Sequence, residues 1–177
     1  MKFAEVARVM GLVAMVCAAA VVPALTMGGR TVADPLRGGD IAPALTLSEW
    51  VTGAPVTFGG GDGLIAVIVF WGTYCPPCRE AMPVLSQIHE RFAADGVRVV
   101  CVGHESREKT RAYLNEFGPP LRQSFALDRD WTTTRPYLEG LGVLGIPYAV
   151  IVAPDGTIAW HGDPMSDELV EALRSLI

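Results

Sequence analysis

The chain has 177 residues, half of them apolar and 19% charged, with a formal net charge of −5. That is the size of one ordinary domain, and it excludes an intrinsically disordered chain, which needs low hydrophobicity and a strong net charge. The 19 glycines and 13 prolines follow no repeat and the basic residues are scattered, which excludes low-complexity material and the basic patch of a nucleic-acid-binding protein.

Residues 9–29 carry no charge, and Lys2 and Arg8 precede them with only Glu5 in opposition. Twenty-one helical residues at about 1.5 Å each would span roughly 30 Å, the thickness of a bilayer core. Residues 1–30 are therefore expected to be a secretory signal, cut near Val22-Pro23-Ala24, or an N-terminal membrane anchor oriented by its flanking positive charge. Ala14-Met15-Val16 does not resemble a lipoprotein box, so Cys17 reads as a small apolar filler. Residues 31–37 read as a linker, and 38–177 as a single domain on the far side of a membrane, in an oxidising compartment. Beyond residue 30 there are 11 basic and 18 acidic residues, a balance that favours solubility.

Within that domain, residues 44–50 and 56–58 are strand-like pieces separated by Thr52-Gly53. Residues 64–71 (LIAVIVFW) form a continuous apolar, β-branched run, as in a strand buried on both faces. From 78 to 94 the apolar residues Met82, Leu85, Ile88 and Phe92 recur on one side of a helix, which Asp95-Gly96 ends. Residues 97–102 predict a second buried strand. Residues 106–117 predict a helix capped by Ser106. A short strand at 124–127 and a helix at 132–141 follow. Residues 147–153 and 157–160 form a hairpin around Pro154-Asp155-Gly156, and 165–177 a closing helix capped by Ser166. Strands alternating with helices and ending in a hairpin predict an α/β sandwich with a mixed sheet and helices on both faces.

Trp71-Gly72-Thr73-Tyr74-Cys75-Pro76-Pro77-Cys78 falls where a buried strand hands over to a helix. Two cysteines with two residues between them, in a first helical turn, can close a small disulfide ring. The positive end of the helix dipole favours the thiolate of the first one, and the thiolate is the nucleophile. Cys75 is thus the candidate attacking thiol, and Cys78, one turn along, the candidate resolving thiol. Pro76 and Pro77 lack N–H groups where a helix start leaves them unbonded anyway. A structural disulfide or half of a zinc site are the alternatives. Zinc needs two more ligands, and Cys17, Cys101, His89, His104 and His161 form no metal-type pair. No metal or organic cofactor is expected.

On these residues the chain resembles the thioredoxin-like superfamily, and more closely its exported TlpA/ResA-type thiol–disulfide oxidoreductases. Residues 39–47 look like that group's opening segment, residues 70–78 like its active-site run, and Pro83 like its helix-kinking proline. Residues 117–145 look like its insert, and Gly145-Ile146-Pro147-Tyr148 like its cis-proline site. The resemblance implies a three-layer sandwich with extra N-terminal strands and a central insert. It also implies a cis Ile146–Pro147 bond, an Ile146 backbone that pairs with an incoming polypeptide, and a contact surface at Trp71, Tyr74 and Pro76. Two positions depart from it. Val69 stands where thioredoxins carry a buried Asp, and Ala81 where the TlpA/ResA group carries a Glu. Glu80, one position earlier, is the candidate for the proton transfer to Cys78 that the missing acid would perform.

The expected activity is an extracytoplasmic exchange of the Cys75–Cys78 dithiol with protein thiols and disulfides. By resemblance the chain acts as a reductant, fed by an upstream thiol donor and serving an apocytochrome or another exported cysteine protein. Two other functions remain open. A peroxiredoxin-like peroxidase uses Thr or Ser three residues before its cysteine, where Gly72 stands here. A Cu(I)-binding chaperone suits two thiolates, but copper carriers space their cysteines by three and add a histidine. His161, beside the last hairpin, reads as an exposed strand end.

Overall fold

The computed structural model describes residues 35–59, 63–117 and 121–177. The chain separates into Met1–Ala33 and Asp34–Ile177, and the fold below belongs to the second unit. The expected signal or anchor over 1–30, and residues 31–34 of the expected linker, lie outside the described residues. Among the described residues no helix is long and apolar enough to cross a membrane.

Six strands form one mixed sheet in the order β1-β4-β3-β2-β5-β6. They are β1 (Glu49–Thr52), β2 (Ile65–Phe70), β3 (Val97–Gly103), β4 (Ser124–Leu127), β5 (Tyr148–Val152) and β6 (Ile158–Gly162). Strands β2, β3 and β4 run parallel, while β1, β5 and β6 are antiparallel to their neighbours. The helices are α1 (Pro76–Phe92), α2 (Arg107–Glu116), α3 (Thr134–Gly140) and α4 (Asp167–Leu176).

Every residue of β2 is buried, which is why its sequence is unbroken Ile, Ala, Val and Phe rather than an alternation. Its two faces nonetheless feed separate cores. Ile65, Val67 and Val69 join Met82, Leu85 and Ile88 of α1, together with Leu169 and Leu173 of α4. Ala66, Ile68 and Phe70 join Tyr137 of α3 and the segment carrying Leu36, Leu45 and Leu47. Helix α1 continues past Pro83 and passes through a 3-10 turn, Ala93–Asp95, to Gly96, whose φ of 84° makes a left-handed terminus. Helix α2 is capped as expected, the Ser106 hydroxyl accepting from the Lys109 N–H at 3.3 Å.

Several expectations need correction. Among the described residues only β1 precedes β2, because residues 44–48 and 56–58 form no strand. Pro43 and Pro55 cannot donate to a ladder, and Leu45 and Leu47 pack onto the α3 side instead. The expected linker is not free at its described end, since Leu36 packs into that core and its N–H donates to the Gly140 carbonyl at 2.5 Å. Helix α3 begins at Thr134 rather than 132, because the Thr132 hydroxyl and the Thr133 N–H are both bonded to Asp128. Ser166 precedes α4, but its side chain makes no cap bond. His161 is half-buried, with its Nδ1 2.8 Å from the Tyr148 hydroxyl.

One consequence of the topology matters for function. The carboxyl ends of β2, β3 and β4 lie on one edge of the sheet, and antiparallel β5 starts there. Four connections therefore converge: residues 71–75, 104–106, 128–133 and 145–147. In open α/β sheets this is the edge where sites are built.

Candidate active site

Cys75 is the N-cap residue of α1, in extended backbone, with Pro76 and Pro77 opening the helix. Its sulfur is disulfide-bonded to that of Cys78, with Sγ–Sγ 2.20 Å and Cα–Cα 5.3 Å. The Cys78 N–H donates to Cys75 Sγ at 3.3 Å, so the first sulfur sits where the helix presents an unused donor and its positive end. Cys75 is 5% exposed and Cys78 wholly buried. The first cysteine thus keeps the pair's narrow opening to solvent, and the second lies in the core against Met82 and Ala81.

The loop before β5 closes the other side. The Ile146–Pro147 bond is cis, and the Ile146 carbonyl oxygen lies 3.6 Å from Cys75 Sγ. Tyr74 is 62% exposed and Pro76 is also exposed, so both lie at the surface around the sulfur. Tyr74 fixes the residue two places before it: a Cβ on Gly72 would come within 2.6 Å of the Tyr74 ring.

Trp71 lies beneath that surface, where it helps to line a cavity bounded by Tyr74, His104, Trp131 and Ile146. It is 2% exposed, with its ring packed at 5.3 Å centroid distance against both Tyr113 and Phe125. A strand-end indole beside a sheet of β-branched residues gains more from the core than from solvent. Above it the Arg79 guanidinium lies 5.3 Å from the Tyr113 ring centroid. Burial raises the Tyr113 phenol above its ordinary pKa, and Arg79 opposes the rise.

Glu80 is exposed. It stands two positions beyond Cys78, about 200° around the helix, which turns its carboxyl away from the buried sulfur. Val69 and Ala81, at the acid positions of the resembled proteins, are fully buried in the same core as Cys78.

The carboxylate that the structure does place beside the loop is Glu105, in the connection after β3. It accepts the Thr73 N–H at 2.6 Å and the Thr73 hydroxyl at 2.8 Å. Next to it His104 stacks on Trp131 at 4.1 Å and 28°, and meets Tyr74 edge-on at 5.9 Å. Trp131 has a φ of 59°, a left-handed conformation that is unfavourable for a bulky side chain. Buried Asp128 holds its loop, accepting N–H bonds from Thr133 at 3.0 Å and Thr134 at 2.6 Å and a hydroxyl bond from Thr132 at 3.1 Å. The sequence reading passed over Glu105 and Trp131 as site residues. Adjacent parallel strands end at one edge, so a residue just after β3 must lie near one just after β2. That signal depends on knowing strand order.

Cys101 lies mid-strand in β3, buried, with its sulfur 3.9 Å from Met82 Sδ. Burial pushes its thiol pKa far above the usual range, against a smaller downward effect from the Gln123 side chain. Among the described residues, no group of three or more His, Cys, Asp or Glu side chains is arranged to hold a metal ion.

Residues 63–158 match the family model described as Thioredoxin-like. A thiol-disulfide oxidoreductase ResA from Halalkalibacterium halodurans is 25% identical over 143 residues, covering 80% of this chain and 77% of that protein. Its namesake from Bacillus thuringiensis subsp. konkukian is 21% identical over 155 residues, with 86% of each chain covered. The solution structure of a putative protein disulfide isomerase from Bacteroides thetaiotaomicron superposes with a TM-score of 0.66 at 22% identity, over 80% of this chain and 90% of its own. A putative thiol:disulfide interchange protein DsbE from Chlorobium tepidum gives 0.60 at 24%, over 80% and 95%; at such identities the likeness is one of fold. With a family model spanning more than half its length and curated relatives of the same kind along most of it, the chain belongs to the thioredoxin-like family, as a thiol–disulfide oxidoreductase similar to ResA.

Proposed function

We propose that this oxidoreductase works outside the cytoplasm and reduces disulfides of exported proteins through Cys75 and Cys78. The observation that carries the reading is Cys75 Sγ at the N-cap of α1, accepting the Cys78 N–H and facing the Ile146 carbonyl. When the pair is reduced, the same N–H and the helix terminus favour a Cys75 thiolate. That thiolate attacks one sulfur of the partner's disulfide, and the partner's other sulfur leaves as thiolate. The Cys78 thiol gives up its proton to the departing partner sulfur and attacks Cys75 Sγ, releasing the second partner thiol. Two electrons pass to the partner, and Cys75–Cys78 ends oxidised.

Ile146 pairs its backbone with the partner's strand, with Tyr74, Pro76 and Pro147 around it. An upstream thiol donor regenerates the dithiol, and an apocytochrome is one partner that needs such service. The uncharged residues 9–29 bring the chain to, or through, a membrane.

The test is insulin reduction together with trapping. Cys75→Ser should abolish turnover, and Cys78→Ser should accumulate a mixed disulfide at Cys75. Full turnover in Cys75→Ser would end the role assignment. Equilibration with glutathione sets the direction: such dithiols span roughly −270 to −120 mV, and a value at the upper end would make the protein an oxidant.

A further inference from the structure

We propose that Arg122 and Gln123 splint helix α1 across Pro83, and that Gln123 is thereby a positioning residue for the step in which Cys78 resolves the mixed disulfide on Cys75. The inference rests on the oxidoreductase reading and adds to it a residue that lies inside the core.

Pro83 stands inside α1 and has no N–H, so it cannot donate to the Arg79 carbonyl one turn back. The missing rung falls directly after Cys78. The turn from Cys75 to Met82 is therefore tied to the rest of the helix by fewer bonds than a regular ladder supplies. The segment entering β4 bonds to α1 on both sides of this break. Before it, Gln123 donates from Nε2 to the Met82 carbonyl at 3.2 Å, with Met82 Sδ 3.5 Å from the same nitrogen. After it, the Arg122 N–H donates to the Ser86 hydroxyl oxygen at 3.0 Å. The Arg122 guanidinium also meets the Glu90 carboxylate at 2.8 Å, but both side chains are more than half exposed, where an ion pair adds little. Of these bonds it is that of Gln123 which reaches the turn carrying Cys78.

The amide serves position rather than packing. Gln123 is 1% exposed, and its Oε1 is buried without a hydrogen-bond partner. An unpaired buried acceptor is destabilising, so a methionine of similar size would fill the space without that penalty. What methionine could not do is hold the Met82 carbonyl. The chemistry of Cys78 needs that hold. Its sulfur is wholly buried, its Cα stands 5.3 Å from that of Cys75, and it must attack Cys75 Sγ while the partner occupies that sulfur. Intramolecular attack is fast only when the attacking atom is kept near its target. A turn free to shift about Pro83 would lower the effective concentration of Cys78, and Gln123 keeps it high by pinning that turn to the sheet.

The experiment equilibrates the full chain with reduced and oxidised glutathione and quantifies dithiol, glutathione mixed disulfide and Cys75–Cys78 disulfide by mass. In the resolving step Cys78 Sγ bonds to Cys75 Sγ, the bond from Cys75 to glutathione breaks, and glutathione leaves as a thiol with the Cys78 proton. Gln123→Met should lower the equilibrium constant for the intramolecular disulfide roughly fivefold, the scale of one neutral hydrogen bond. On a Cys78→Ser background the same substitution should leave the Cys75–glutathione equilibrium unchanged, since Cys75 alone is read there. In Pro83→Ala, where the rung is restored, Gln123→Met should lose most of its effect. Cys101→Ala, which trims the same core beside Met82 Sδ, should lower the urea midpoint and leave the constant where it was. An unchanged constant in Gln123→Met, a full effect in Pro83→Ala, or an equal shift in Cys101→Ala would overturn the splint while the dithiol chemistry stood. A Gln123→Met chain that fails to fold would overturn it too, since the amide would then be structural. A wild type that forms no Cys75–Cys78 disulfide with glutathione would remove the oxidoreductase reading, and the splint with it.

Discussion

Glu105 accepts two hydrogen bonds from Thr73, one from the backbone at 2.6 Å and one from the hydroxyl at 2.8 Å. A carboxylate from the end of β3 thereby pins the turn that carries Cys75 into α1. Without it the turn would hang on the Cys75 N–H to Gly72 carbonyl bond at 3.2 Å and on the helix behind it.

Glu105→Ala should therefore lower stability by about 1.5–3 kcal/mol, the range for hydrogen bonds to a charged group, and slow alkylation of reduced Cys75. Glu105→Gln should recover most of both, since an amide can accept the Thr73 N–H and donate to its hydroxyl. Urea midpoints and iodoacetamide kinetics read the two effects. Equal behaviour of the Ala and Gln variants would show that charge, not geometry, is what Glu105 supplies.

Glu80→Gln should leave the pH profile of insulin reduction unchanged to within a factor of about two, the spread of an ordinary surface substitution. Its carboxyl is exposed and turned away from Cys78. A displaced alkaline limb in this variant would restore Glu80 as the proton-transfer group.

Stability should fall on acidification partly through His89. Its Nδ1 accepts the Val99 N–H at 3.2 Å, a bond only the neutral ring can make. Burial, then Arg98, lowers its pKa from 6.5, with Glu90 opposing. A base with a lowered folded pKa contributes its full stability above 6.5, and loses it as pH drops from there through the folded value, where the unfolded chain binds more protons. Denaturation midpoints at pH 7.5 and pH 5 should accordingly diverge less in His89→Gln than in the wild type; an identical difference would exclude this contribution.

Cys101 should stay unmodified by thiol reagents in the native reduced protein and react only on unfolding. It is wholly buried, and desolvation holds it as the thiol. Peptide mapping after alkylation distinguishes it from Cys75, and labelling of both at similar rates would contradict the packing.

The chemistry was legible in the sequence because it is local. Two cysteines three apart after an apolar β-branched run suffice to put a sulfur at a helix N-cap. The N–H of Cys78 then points at it for reasons confined to one turn. Burial on both faces of β2 was legible for the same reason, from Ile65 to Phe70 without a polar residue. Tertiary structure decided whatever depends on which strands become neighbours. The order β4-β3-β2-β5 brings Glu105 to Thr73, Ile146 to Cys75, and Trp131 to His104 and the cavity, across sequence separations that no periodicity encodes. It also drew Trp71 into the core, since an indole at a strand's end goes where Tyr113 and Phe125 leave room, and their positions belong to other elements.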